Sequence, residues 1–416
     1  MKSFINLLAI AASNFIEFFD FAVFAFAIPV MAPLFFPNSN VVVSYLNGFL
    51  VFALTFIVRP VGAIIFGYIG DVFGRRFSLF FSILSITIAN FITAMLPTYE
   101  QVGIAATVFL ITCRIIQGLS LGGESYGALL YVSESETSNQ RAVLFTSIVT
   151  AFGLLGWLCS GWFTGYAISK YSANNSWRYV FVVAGTIGLL GFILRFVTIQ
   201  KNIILAGNIG LSNPLDILKD IFSNYKLHFF ACFGITSTLG AYFYFFCIMP
   251  NTLLPLITEI STEIAHKVAL YCITSYMVFL PIIGIVCTRI KPYWYIVIVD
   301  LIMLSMAYPL TKLLMSGIEA NIIFASIMSG FLLANHMAPM SYLITRIFPS
   351  SIAYTGGSLS YNLSMSIFGG LTPLLTFKIS SWTGEASSSG MILIFACLLS
   401  LLSLVTLRKI AEVREG

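Results

Sequence analysis

The sequence predicts an all-α membrane protein of twelve transmembrane helices in two six-helix halves. Two observations carry that prediction. Of 416 residues, 59% are hydrophobic and only 9% charged, against roughly 25% charge in an ordinary soluble domain, which leaves too little polar material for a water-facing surface. Apolar stretches of the roughly 20 residues needed to cross a bilayer also recur along almost the whole chain, separated by short polar breaks.

Taken in order, the spans fall near 7–35, 48–70, 77–97, 102–133, 143–168, 178–198, 227–256, 264–288, 293–315, 318–345, 354–380 and 389–407. Lys2 and the small residues Ala9-Ile10-Ala11 superficially suggest a cleaved signal peptide. The apolar stretch runs on through Phe36, however, so this segment is read as an uncleaved first span. The longest polar break, about 199–226, contains Asn213-Pro214, Lys219 and Asp220. It reads as a cytoplasmic linker between an N-terminal half at 1–198 and a C-terminal half at 227–416. With the N-terminus inside, 14 of the 21 basic residues fall on the cytoplasmic side and 5 on the other, with Arg59 and Arg114 left within the membrane. The positive-inside rule then puts both termini in the cytoplasm.

The net charge of +5 sits in short loops, where it orients helices, so no nucleic-acid partner is expected. Seven scattered cysteines and three distant histidines (His228, His266, His336) form no disulfide framework or metal-ligand spacing. No cofactor is expected. Gly-x-Ser-x-Gly, His-Glu-x-x-His and phosphate-loop patterns are all missing, which argues against a membrane-embedded enzyme or an ATP-driven pump.

Between the second and third spans lies Gly67-Tyr68-Ile69-Gly70-Asp71-Val72-Phe73-Gly74-Arg75-Arg76. Glycines let two helix ends approach closely, and the charges can latch neighbouring helix ends. A plain positive-inside turn would explain the arginines but not the Gly-x-x-Gly-Asp-x-x-Gly frame. This loop resembles the signature of the major facilitator superfamily. Four stretches are similar to one branch of it, the metabolite:proton symporters, which include proline/betaine, 2-oxoglutarate, citrate and shikimate carriers. They are Asn14-Phe15-Ile16-Glu17-Phe18-Phe19-Asp20, Arg59-Pro60-Val61-Gly62, Arg114 through Glu124 followed by Glu134 and Arg141, and Tyr354-Thr355-Gly356-Gly357 with Tyr361-Asn362 and Gly369 through Pro373. The resemblance implies the major facilitator fold, secondary active transport, a bacterial plasma membrane and a functional monomer. It also implies a cytoplasmic gate of Gly67, Gly70, Asp71, Gly74, Arg75, Arg76, Glu134 and Arg141. Departures are Ser125-Tyr126, where the branch has an aromatic residue and then glycine, and Thr288, where the second-half copy of the loop would carry an acid.

An ionisable residue at bilayer depth costs at least about 2.5 kcal/mol and so needs a partner or a water-filled cavity. Glu17 and Asp20 are three residues apart, which puts both on one helix face. Two acids so placed cannot easily both stay ionised, so one of them is expected to hold a proton. Proton coupling is therefore assigned to Glu17, Asp20 and Glu124; the alternative is that these acids merely neutralise Arg59 and Arg114 as packed ion pairs. A mid-membrane guanidinium can clamp a substrate carboxylate. The substrate-binding candidates are Arg59, Arg114, Gln117, Tyr126, Tyr242, Tyr361 and Asn362. Aromatic residues around the first-span acids and in Tyr242 through Phe246 can hold a quaternary ammonium or can simply pack against lipid. Pro250 is expected to break the seventh span there. Asp300, about two turns into the ninth span, is left unassigned.

The function expected from these readings is proton-coupled import of a small polar metabolite. A zwitterion such as proline or betaine is preferred because the pocket charges are mixed; a carboxylate such as 2-oxoglutarate or citrate is the alternative. Proton-driven export is disfavoured by the two mid-membrane arginines.

Overall fold

A computed structural model describes residues 2–136, 138–198, 213–252, 254 and 260–415. Among the described residues, twelve helices are long and apolar enough to cross a membrane. The first six are Leu7–Phe35, Val43–Val72, Arg75–Met95, Ile104–Ser135, Asn139–Lys170 and Asn175–Val197. The second six are Lys226–Ile248, Lys267–Cys287, Pro292–Leu314, Glu319–Arg346, Ala353–Thr383 and Ala386–Lys409. The protein is a multi-pass membrane protein, and its outer faces carry exposed apolar side chains such as Ile57, Leu190, Ile298 and Leu402, as a lipid-facing surface requires.

The expected spans agree with these helices to within a few residues, apart from the seventh. Helix continues through Pro250 rather than ending there. Its ring nitrogen has no hydrogen to give the carbonyl one turn back; Tyr244–Ile248 widens into a π-helical turn, and helix resumes at Met249–Thr252. The eleventh span is interrupted in the same way, by a π turn at Met365–Gly369 before Thr372–Thr383. Such irregular backbone at membrane depth is tolerated where it is covered by protein or faces a cavity, and both segments do so here.

Residues 199–212 of the expected linker lie outside the described residues. The rest of it forms a short helix, Pro214–Asn224, capped by the Asn213 side chain, which accepts from the Leu215 amide at 3.2 Å. That helix buries Ile217 and Ile221.

The second and fourth spans cross backbone to backbone. A Cβ on Gly62 would run into the carbonyl of Leu119, and one on Gly122 into the carbonyl of Arg59. Only glycine allows this approach. It brings Arg59 alongside Ser125.

Candidate functional site

A cavity of about 60 Å³ lies among the helices. The first, second, fourth and fifth spans contribute Glu17, Phe18, Phe21, Arg59, Ser125 and Trp157 to its wall. The seventh, eighth, tenth and eleventh contribute Phe243, Tyr244, Tyr276, Met337 and Tyr361. Among the described residues, the third, sixth, ninth and twelfth spans contribute no lining residue, so the same positions line the cavity in each set of six.

One hydrogen-bonded chain crosses the cavity wall. Ser125 Oγ donates to Glu17 Oε1. Arg59 donates from Nη2 to Ser125 Oγ at 3.2 Å and from Nε to Asn362 Oδ1 at 3.0 Å. Asn362 is held in turn by donating to the carbonyls of Gly122 at 2.7 Å and Ser358 at 2.8 Å. Glu17 Oε2 is buried without a hydrogen-bond partner. The cavity thus presents a fixed guanidinium, an acceptor oxygen with unused capacity, and aromatic faces.

Asp20 and Arg114 belong to a second cluster, behind the cavity wall. Gln117 Nε2 donates to Asn90 Oδ1 at 2.7 Å and sits 3.5 Å from Asp20 Oδ1. The Arg114 guanidinium lies over the rings of Phe24 and Phe181, at 4.2 and 5.3 Å from their centroids. Asp20 Oδ2 and Arg114 Nε and Nη2 are buried without hydrogen-bond partners. A buried carboxylate with an open oxygen beside a cation that does not clamp it can accept a proton without breaking a bond.

Glu124 makes a third cluster and faces neither group. Arg195 of the sixth span binds it in a bidentate pair, Nη2 to Oε1 and Nη1 to Oε2, the latter at 3.0 Å. Ser82 donates to Glu124 Oε2 at 2.5 Å, and Arg195 also donates to the Leu79 carbonyl and Ser13 Oγ. Arg195, counted on the cytoplasmic side from the sequence, is 0% exposed. The sequence has no signal for this pairing, because the partners lie on different spans 71 residues apart.

Tyr126 and Tyr242 point away from the cavity. Tyr126 donates to the Ile344 carbonyl at 3.2 Å and Tyr242 to the Met303 carbonyl at 2.6 Å. Each therefore ties one span to another.

The glycine-loop residues meet the eleventh span. Asp71 accepts from the backbone amides of Tyr354 and Thr355 at 3.0 and 2.8 Å, from Thr355 Oγ1 at 2.6 Å and from Arg75 Nη1 at 2.5 Å. Those amides are the free donors at a helix N-terminus, where a negative charge is favoured. Arg75 reaches on to both oxygens of Glu134, at 3.2 Å each, and to the Ser350 carbonyl at 2.8 Å. A Cβ on Gly67 would strike the backbone of Thr355, and one on Gly70 the ring of Tyr354. Gly74 has a φ of 104°, a conformation open to glycine. Arg76 lies over the Phe80 ring, 5.0 Å from its centroid, and Arg141 is exposed; neither joins the Asp71 cluster. With Asp71 at 0% and Arg75 at 2% exposure, this end of the bundle is sealed.

The chain overlays a solved structure of the proton:xylose symporter XylE with a TM-score of 0.75 at 16% identity, covering 98% of this chain and 95% of that one. The fucose:proton symporter FucP of E. coli gives 0.68 at 13%, covering 97% and 99%. A family model described as "Sugar (and other) transporter" matches residues 5–198. The chain has the fold of the major facilitator superfamily, to which the XylE structure belongs. The superfamily is one of transporters rather than enzymes. Similar curated relatives include the proline/betaine transporter of Escherichia coli (strain K12), 25% identical over 97% of this chain and 83% of its own length. The glycine betaine/proline/ectoine/pipecolic acid transporter OusA of Dickeya dadantii (strain 3937) is 26% identical over 92% and 77%. The citrate-proton symporter of Klebsiella pneumoniae is 25% identical over 95% and 90%.

Opening this end of the bundle would require the contacts of Asp71 to break. Hydrogen bonds to a charged group contribute about 1.5–3 kcal/mol each. Asp71→Asn is therefore expected to shift the balance at least tenfold toward the conformation open at this end. A cysteine at the buried Ser360, in a cysteine-free background, should react correspondingly faster with an impermeant maleimide applied from the Asp71 side. Unchanged labelling from both sides would count against a latch.

Proposed function

We propose that this transporter imports a small zwitterionic metabolite of the proline/betaine kind together with protons. In this reading residues 1–198 and 227–416 act as the two halves, alternating access to the cavity in a bacterial plasma membrane with both termini cytoplasmic. The observation that carries the reading is Arg59 and Glu17, bridged by Ser125, on one cavity wall with Phe18, Phe21, Trp157, Phe243 and Tyr244 around them. Arg59 takes the substrate carboxylate through donors that a planar guanidinium holds in register. The substrate cation sits against Glu17 and the aromatic faces, a quaternary ammonium being attracted by the ring quadrupole. The names of the relatives in Escherichia coli and Dickeya dadantii support the same substrate class. Proton coupling is assigned to Glu17 and Asp20. Glu124 is set aside, because Arg195 and Ser82 already occupy its oxygens.

A carboxylate such as citrate is the second reading, favoured by the same Arg59 and by the Klebsiella relative. Uptake of labelled proline, glycine betaine, 2-oxoglutarate and citrate into proteoliposomes, with and without an inward-acid pH gradient, separates the two. Gradient-driven uptake of betaine or proline alone supports the first, and of the carboxylates alone the second; uptake that ignores the gradient sinks both.

In either case Arg59→Gln is expected to weaken substrate binding at least tenfold, since losing a charge-assisted contact in a dry site costs about 1.5–3 kcal/mol. Arg59→Lys should not restore it, because a point charge cannot reach Ser125, Asn362 and a carboxylate together. Binding measured by calorimetry on the purified protein checks both.

A further inference from the structure

Four groups from four spans meet in a line through the His336 ring in the second set of six helices. Asp300 of the ninth span and His336 of the tenth are both 0% exposed, with Asp300 Oδ1 2.6 Å from His336 Nδ1. Ser400 of the twelfth donates to Asp300 Oδ2 at 2.6 Å, and His336 Nε2 lies 3.2 Å from the Ile235 carbonyl of the seventh. Sequence reading left Asp300 unassigned and His336 without a partner, since 36 residues separate them.

At 2.6 Å a proton lies between His336 Nδ1 and Asp300 Oδ1. A second hydrogen on Nε2, facing the Ile235 carbonyl, would give the pair zero net charge, as imidazolium with carboxylate or imidazole with carboxylic acid. Losing that proton would leave one uncompensated negative charge in a dry interior, which is costly. Among the described residues, the printed ion pairs and hydrogen bonds of Asp300 join it to His336 and Ser400, with no Lys or Arg among them, and Tyr242 and Cys397 lie near enough to feel its charge.

The position of these groups matters as much as their chemistry. Counted at about 1.5 Å per residue, Ile235, Asp300, His336 and Ser400 all lie roughly 12–15 Å from the end of the bundle that Asp71 seals. His336 is followed by Met337 in the cavity wall, and the seventh span goes on to Phe243 and Tyr244 in that wall. When the Asp71 end opens, water enters from the side on which these groups lie, and the charge left by deprotonation is then solvated.

We propose that Asp300 and His336 form a second proton-binding site, which holds one proton while the Asp71 end is sealed and releases it to that side when the end opens. The proton shared by Nδ1 and Oδ1 passes to water, leaving neutral imidazole and carboxylate; one proton reaching the ring from the cavity side restores the pair. The proposal rests on the reading of the protein as a proton symporter.

The test measures steady-state accumulation of betaine or proline, whichever is transported, in proteoliposomes at several imposed pH gradients. Each coupled proton adds a factor of ten per pH unit, because one pH unit is 1.36 kcal/mol per proton. Asp300→Asn can donate Nδ2–H to Nδ1, keep Nε2–H on the Ile235 carbonyl and accept from Ser400, so the bonds survive while the exchangeable proton is gone. The slope of log accumulation against pH gradient is expected to fall by one decade per unit, and the slope does not depend on how fast the variant works. A sloped wild type with an equally sloped Asp300→Asn overturns this site and leaves the symport reading standing; a flat wild type overturns symport itself. Should Asp300→Asn fail to fold, hydrogen–deuterium exchange at the imidazole C2 position, read peptide by peptide, follows His336 directly. It is expected to titrate in Asp71→Asn, which opens the end, and to stay flat in the parent. Flat profiles in both would overturn the proposal.

Discussion

Replacing Arg195 by leucine is expected to prevent the protein from accumulating in folded form. The change leaves the Glu124 carboxylate, 2% exposed, without its bidentate partner. It also strips one donor each from the Leu79 carbonyl and Ser13 Oγ. Removing one member of a buried pair costs about 3–5 kcal/mol, which is comparable with the 5–15 kcal/mol that separates a typical domain from its unfolded state. Arg195→Lys should recover little, since an ammonium cannot serve both carboxylate oxygens and the Leu79 carbonyl in one plane. Adding Glu124→Gln to Arg195→Leu should recover much more, because no charge is then left in the interior. Yield of monodisperse protein and its thermal unfolding in detergent rank the three variants. An Arg195→Leu protein as stable as the parent would show that this pair does not hold the first, third, fourth and sixth spans together.

The contrast between Glu124 and Asp71 shows what the sequence could and could not disclose. Span number, span limits and the close approach of the glycine loop to a helix end were legible because each rests on local pattern: apolar runs of bilayer length, and a glycine frame that needs a close neighbour at a helix end. Pro250 was legible as a disruption, but whether it breaks a helix or widens one turn depends on the packing around Tyr244. The acids were visible as costly residues, and all of them are buried. Their partners were not visible, because pairing is decided by which helix faces which. The sequence alone offered Glu17, Asp20 and Glu124 as one group, yet helix rotation sends Glu17 to the cavity, Asp20 toward Arg114 and Asn90, and Glu124 to Arg195. The burial of Arg195 was not legible, because a position near the end of an apolar run looks the same whether it faces a loop or the interior. Asp300 and His336 were out of reach for the same reason.

Glu17→Gln and Asp20→Asn are expected to fail in different ways, and the difference follows from where their open oxygens lie. In the proposed cycle a carboxylate binds the proton that lets the loaded carrier reorient. Asp20 is behind the cavity wall, with Oδ2 unpartnered and Arg114 acting on it electrostatically. Asp20→Asn keeps an acceptor near Gln117 but cannot take up a proton. Accumulation driven by one pH unit should therefore drop about tenfold for the one proton lost. Exchange of labelled for unlabelled substrate, which needs no net proton movement, should continue. Glu17 lines the cavity itself, so Glu17→Gln also removes the countercharge of the substrate cation and should weaken binding in exchange and in uptake alike. Both variants are isosteric and retain a hydrogen-bond acceptor, so folding should survive, and surface expression checks that. Loss of folding in both would instead mark the acids as structural neutralisers of Arg59 and Arg114. Full pH-driven accumulation in each single variant and in the double variant would show that the proton travels elsewhere. Glu124 is already saturated by Arg195 and Ser82, so the remaining carrier in the bundle would then be the Asp300–His336 pair.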